Sequence, residues 1–239
     1  MKVLKIGGSV ITDKSEGAFE SVKFRELDEV CAAIAENPED LVVVHGAGSF
    51  GHPQVKKYGI GDAFGVARVH ISCLKLNEIF CSKLSDYGVA VIPLHPIELF
   101  RRQENELRCD IEKILEAAER GFLPVLHGDV IFCDEGFEVL SGDDIVVFLA
   151  ERINASRVGF ATDVEGILVG GKPVSFFNAT MLEEIGGADY KADVTGGMRA
   201  KVEKLLKMRS PAEVYIFRGS GENVARFLKG EKVGTEVVR

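Results

Sequence analysis

The chain is 239 residues long, 46% hydrophobic and 28% charged, with 29 basic and 37 acidic residues giving a formal net charge of -8. That is ordinary globular composition, which excludes disorder, collagen-like repeats and low-complexity scaffolds. The longest aliphatic or aromatic runs, such as Ile145 to Ala150, fall far short of the roughly 18 residues of a membrane span. An acidic chain argues against nucleic acid as a partner, so phosphate chemistry must come from a few placed lysines and backbone amides.

The elements alternate along the chain. A short strand, Val3 to Ile6, ends in Gly7-Gly8-Ser9, and apolar residues at helical spacing run from Ser21 to Glu36 before Asn37-Pro38 stops them. Leu41 to Val44 is apolar on both faces, as a buried parallel strand should be. A helix from Phe64 to Tyr87 and a strand from Val89 to Ile92 follow, then a helix from Asp110 to Arg120 and a strand from Leu123 to Leu126. Val130–Phe132 and Phe137–Leu140 read as a hairpin around Asp134-Glu135-Gly136. Ser141-Gly-Asp-Asp144 has the form of a capping box opening the helix Ile145–Ile153. The last third adds a strand at Arg157–Ala161, a turn-rich stretch to Asn178, and a helix from Gly196 to Met208. A strand at Val214–Phe217, a helix at Glu222–Lys229 and a final strand at Thr235–Val238 complete it. This alternation predicts an α/β fold, a mostly parallel central sheet with helices on both faces. With no linker-like stretch, residues 1–239 read as one domain with two lobes meeting near residue 150.

The five cysteines are odd in number and form no C-x-x-C pair, so neither a zinc site nor a disulfide framework is suggested. The apolar opening is too short for a signal peptide, and reducing cytoplasm is the expected location.

Two glycine patterns point the wrong way. Gly46-Ala-Gly48-Ser-Phe-Gly51 fits a dinucleotide fingerprint, but no second strand with its acidic residue follows in range. Gly166 to Lys172 has P-loop spacing, but Pro173 stands where a metal-binding Ser or Thr belongs, so a hairpin tip is expected.

Three other turns carry more. Lys5 interrupts an apolar strand, where an unpaired ammonium is costly, so it either reaches solvent at an edge or points at an anion. Gly7, Gly8 and Ser9 let backbone amides approach oxygen atoms, and Lys14 supplies a second cation; this cluster reads equally as a phosphate site or an ordinary loop. In His45 to His52, small residues after a buried strand expose amides at a helix N-terminus, and His52 can donate a hydrogen bond to an anion there. His70, His95 and His127 read as structural. In the third turn, Asp193-Val-Thr-Gly-Gly197, Thr195 is a plausible N-cap. Lys201 lies about one turn later, where the helix dipole disfavours a cation unless an anion is bound. Asp163 adds a carboxylate at the same sheet edge or simply forms a turn.

Together these residues resemble the amino acid kinase superfamily and, more narrowly, the archaeal-type isopentenyl phosphate kinases. The resemblance runs from Lys5-Ile-Gly-Gly-Ser to Lys201, through the Ser-Phe-Gly-His extension ending at His52 and Gly128-Asp129-Val130. It implies an αβα sandwich with an acceptor lobe in residues 1–150 and a nucleotide lobe in residues 151–239. It also implies a cytoplasmic, homodimeric enzyme transferring phosphate from ATP, with Mg²⁺, to isopentenyl phosphate. Lys5, Gly7, Gly8, Ser9, Gly48, Asp163, Gly197 and Lys201 would surround ATP. Ala47, Gly51, His52 and Gly128 would hold the acceptor, and Lys14, Lys5 and His52 would be the catalytic set, with no protein metal ligands. The isoprenoid tail would lie against Phe64, Val66, Val69, Cys73, Leu76 and Phe80, a stripe that equally suits plain core. Another phosphate, phosphonate or carboxylate acceptor, or a non-catalytic nucleotide sensor, would use the same fold.

Overall fold

A computed structural model describes residues 1–15, 17–185 and 192–239, the side chains of 192–196 excepted. The chain begins with β1 (Lys2–Ile6), α1 (Gly8–Ile11), α2 (Phe24–Ala35), β2 (Leu41–His45), α3 (His52–Tyr58) and the long α4 (Ala63–Asp86). Next come β3 (Val91–Pro93), α5 (Pro96–Leu99), β4 (Phe100–Gln103), β5 (Glu106–Cys109), α6 (Ile111–Glu119) and β6 (Leu123–His127). A hairpin of β7 (Asp129–Cys133) and β8 (Gly136–Leu140) leads into α7 (Gly142–Arg152) and β9 (Arg157–Thr162). After β10 (Leu168–Val169), β11 (Lys172–Pro173) and β12 (Phe176–Phe177), the chain closes with α8 (Ala192–Leu206), β13 (Glu213–Arg218), α9 (Gly221–Leu228) and β14 (Thr235–Val237).

Eight strands form the central sheet in the order β12-β14-β13-β9-β1-β2-β6-β3. Every pairing in it is parallel except β13 with β14. Strand alternation divides the core between its two faces. Val3, Val42, Val44, Val158 and Phe160 pack with residues of α7 and α8. Leu4, Ile6, Val43, Val125 and Phe217 pack with residues of α2, α4 and α9. The sandwich with helices on both faces is therefore as expected.

The 166–172 segment forms the β10–β11 hairpin with Gly170 and Gly171 at its tip, both at positive φ, so the rejected P-loop spacing is a turn. Ser141 caps α7, accepting from the Asp144 amide at 3.1 Å. One element differs from expectation: α8 begins at Ala192 and not at Gly196, so Thr195 lies inside it rather than capping it, and the side chains of Asp193 and Thr195 lie outside the described residues. The hairpin β4–β5, which the sequence did not suggest, joins β7–β8 in a second, four-stranded sheet ordered β5-β4-β7-β8.

Candidate active site

The C-terminal ends of β1, β2, β6 and β9 open into a crevice of about 540 Å³. Its wall takes in Lys5, Gly7, Gly8, Ser9 and Lys14 from the first turn, and Ala47, Gly48, Gly51 and His52 from the second. Gly128, Asp163, Gly197 and Lys201 also line it, so the residues singled out for the nucleotide, the acceptor phosphate and catalysis meet in one place.

β1 alternation puts Lys5 on the same face as Val3, towards α7, and Lys5 Cε comes within 3.4 Å of where a Cβ on Gly142 would stand. The buried ammonium is paired: Lys5 Nζ lies 2.8 Å from one oxygen of Asp143, and Lys201 Nζ lies 2.8 Å from the other. Asp143 thus bridges two lysines contributed by opposite ends of the chain. Burial alone would raise its carboxyl pKa, but the Lys5 and Lys201 charges outweigh it and hold the group well below the usual carboxylate range. Burial, reinforced by the Lys5 charge, pulls Lys201 down to about 8 despite the carboxylate. The expectation that Lys201 needs an anion to offset a helix dipole is corrected. It lies well past the first turn of α8, where the dipole no longer acts, and Asp143 is its partner.

The first two turns fit together backbone to backbone. A Cβ on Gly8 would stand 2.5 Å from the Gly48 amide nitrogen, and one on Gly46 would stand 2.7 Å from that of Gly8. The glycines therefore serve close approach of two loops as well as access to a ligand. Some amides are already committed: Gly7 donates to Ala161 at 2.8 Å, Gly51 to Gly48 at 3.2 Å, and Gly128 to His45 at 2.9 Å. Those of Gly8, Ser9, Ala47 and Gly48 have no acceptor among the described residues and sit at the starts of two short helical turns. What Gly128 offers the crevice is space, not a donor.

His52 opens α3 at the exposed mouth, where partial burial and the nearby Lys14 charge lower its pKa. The Lys14 loop is tied to this turn through Ser49, whose hydroxyl accepts from the Ser21 amide at 3.0 Å and donates to Ser21 O at 3.1 Å. Apolar side chains of Val55, Val69, Cys73, Val139 and Leu140 also line the crevice. Of the expected tail stripe, Val69 and Cys73 line the crevice, and Val66 packs beside them with Val130. Leu76 and Phe80 belong to the main core instead, and Phe64 is 69% exposed.

Asp143 escaped the sequence reading, although a signal was present. Asp144 alone satisfies the capping box, which leaves its neighbour without a local task. Asp129 also escaped, and His70, read as structural, touches it at the crevice wall.

Comparison with known proteins places the chain in a family. Residues 1–217 match the amino acid kinase family, and the chain belongs to that family. Within it, the chain is 39% identical over 98% of its length to an isopentenyl phosphate kinase of Haloferax volcanii, covering 97% of that protein. It is 31% identical to the isopentenyl phosphate kinase of Methanocaldococcus jannaschii, over 99% of this chain and 98% of that protein. The fold superposes with a TM-score of 0.84 on an X-ray structure of an isopentenyl phosphate kinase, at 28% identity with both chains fully covered.

Proposed function

We propose that this protein is an ATP-dependent kinase that phosphorylates isopentenyl phosphate to the diphosphate. The observation that carries the reading is the single crevice in which Lys5, Lys14, Lys201, His52 and unpaired amides meet beside an apolar wall. Relatives of near-full coverage that bear that name support it.

Phosphoryl transfer passes through a loose transition state, so the protein's task is positioning and charge neutralisation. Lys5 and Lys201, held by Asp143, would face the β- and γ-phosphoryl oxygens of ATP, with the Gly8, Ser9 and Gly48 amides as donors and Asp163 and Gly197 at the nucleotide side. Lys14 would meet the transferred group. The acceptor phosphate would rest against Ala47, Gly51, His52 and Gly128, its second pKa of ~6 leaving it mostly ionised at neutral pH. It needs no strong base, and a lowered His52 pKa suits a neutral imidazole that donates one N–H. The apolar wall favours a prenyl tail over a nucleoside or amino acid.

No group of three His, Cys, Asp or Glu side chains among the described residues could form a metal cage. This donor set fits Mg²⁺ carried on nucleotide phosphates, with Asp163 as the available carboxylate; bound there, the ion would neutralise phosphoryl charge. A γ-labelled ATP assay over a panel of prenyl monophosphates, nucleoside monophosphates and carboxylates tests the reading. Label should pass to isopentenyl phosphate; turnover confined to another acceptor, or none, would overturn it. Sedimentation of the purified chain tests the homodimer.

A further inference from the structure

Four of the five histidines gather behind the acceptor end of the crevice. His45 and His127 stack as register partners at the ends of β2 and β6, with ring centroids 5.7 Å apart. His127 Nδ1 lies 3.1 Å from Gly128 O, which only accepts, so this nitrogen carries the proton and Nε2 accepts from His95 Nδ1 at 3.3 Å. The Gly128 amide is held by His45 O. The turn between β6 and β7 is thus fixed by histidine residues on both sides of its glycine.

The next residue is the one that matters. Asp129 lines the crevice with its carboxylate fully buried; one oxygen accepts from the Val130 amide at 2.8 Å and the other lies 2.8 Å from His70 Nδ1. Asp143, the other paired carboxylate of the crevice, is matched by two lysines, whereas His70 is the one side chain within hydrogen-bond reach of Asp129 among the described residues. A buried carboxylate beside an incoming dianionic phosphate repels it unless its charge is cancelled.

We infer that His70 is a positioning residue for the acceptor: its imidazolium, bonded to Asp129, cancels the carboxylate on the acceptor wall and fixes the Gly128–Asp129 turn. This rests on the proposed acceptor being a phosphate monoester. The groups facing His70 are Asp129 of β7, Glu98 of α5, His95 just before α5, and His127 of β6, with Cys73 one turn on along α4. The Asp129 hydrogen bond outweighs burial and, with the Glu98 charge, raises the His70 pKa, while burial raises that of Asp129 against the opposing pull of His70. Burial and neighbouring histidines hold His127 neutral, and burial holds the Cys73 thiol neutral. Acceptor binding is therefore supported while His70 is protonated and weakens as pH rises through its raised pKa.

The test is steady-state kinetics with isopentenyl phosphate and ATP from pH 6.5 to 9 on the intact enzyme, His70→Gln, Asp129→Asn and the double variant, with thermal melts to confirm folding. In the wild type, acceptor KM should climb at the alkaline end. His70→Gln should raise acceptor KM about tenfold at pH 7, the size expected when one nearby charge is uncovered, and flatten its pH profile. ATP KM should stay within about twofold and kcat should fall less than KM rises. Asp129→Asn should flatten the profile without the large rise. The double variant should recover most of the acceptor affinity lost by His70→Gln, a rescue that a purely structural role would not give. An unchanged acceptor KM in His70→Gln, or no recovery in the double variant, overturns the inference while leaving the kinase assignment standing. Should His70→Gln fail to fold, a wild-type acceptor KM that stays flat across this range overturns it equally. A wild-type enzyme inert towards isopentenyl phosphate overturns the acceptor assignment and this inference with it.

Discussion

Asp143 is the residue on which the charge balance of the crevice turns. Replacing it with asparagine would leave the Lys5 and Lys201 ammoniums buried together without a counter-charge. Breaking such a set by removing one partner costs about 3–5 kcal/mol. Asp143→Asn is therefore expected to lower the melting temperature strongly and to raise ATP KM, read by calorimetry and kinetics on one preparation. Because its pKa is depressed, Asp143 contributes stability that is present above the ordinary carboxylate pKa and is lost as pH falls through the lowered value. Lys201 works with the opposite sign. Its pKa of about 8 means its protonated form is disfavoured by folding, a burden relieved as pH rises from there towards the unfolded value. ATP KM should accordingly rise above about pH 8 with no matching loss of thermal stability from this group. His52→Ala removes a donor to a charged acceptor and should raise acceptor KM about 10–100-fold while nucleotide binding survives. Wild-type kinetics in that variant would refute the role. These residues were partly legible beforehand. A lysine inside an apolar strand and a histidine ending a glycine turn announce themselves by being costly or misplaced. Asp143 and Asp129 look in sequence like a cap and a turn, and only the fold brings Lys5, Lys201 and His70 to them.

Elements were legible where period and punctuation agreed. The buried strands β1, β2, β6, β9 and β13 read as apolar runs, and α4 as a long periodic stripe closed by Gly88. The β4–β5 hairpin did not, because its strands carry Arg101, Arg102, Glu106 and Arg108 and its turn lacks glycine. Glu104 and Asn105 take up the two positive-φ positions, at 52° and 62°, that Asn-Gly normally fills. The link between α7 and α8 was also invisible. Consecutive carboxylates Asp143 and Asp144 meet Lys201 and Lys204, three residues apart and so on one face of α8. The outer pair, Asp144 with Lys204, is half-exposed and contributes no more than about 1 kcal/mol to stability. Its consequence is the placement of Lys201 along the crevice. Lys204→Met should leave the melting temperature within a few degrees, raise ATP KM several-fold and leave acceptor KM unchanged. An equal rise in both constants would show that the pair does not act through α8.

The whole molecule is organised around β1. This strand pairs with β2 on one side and β9 on the other, so the sheet joins strands from before and after residue 150 without a break. The crevice lies across the same seam: Lys5 lies in β1 and His52 opens α3, whereas Asp163 and Lys201 follow β9. Two halves of a chain that share a continuous sheet cannot lose one without exposing the parallel edge of the other, since a parallel strand has no local partner to replace it. Unfolding is therefore expected as one calorimetric transition, with calorimetric and van't Hoff enthalpies in agreement. Nucleotide should move that transition as a unit, because the ligand binds only the folded form and touches the seam; at a hundredfold excess over Kd the gain is about 2.7 kcal/mol. Two transitions, with ATP shifting only the later one, would mean that the residues before and after position 150 fold as separate units. The Lys5–Asp143–Lys201 bridge would then be a contact made after folding, not part of what holds the sheet together.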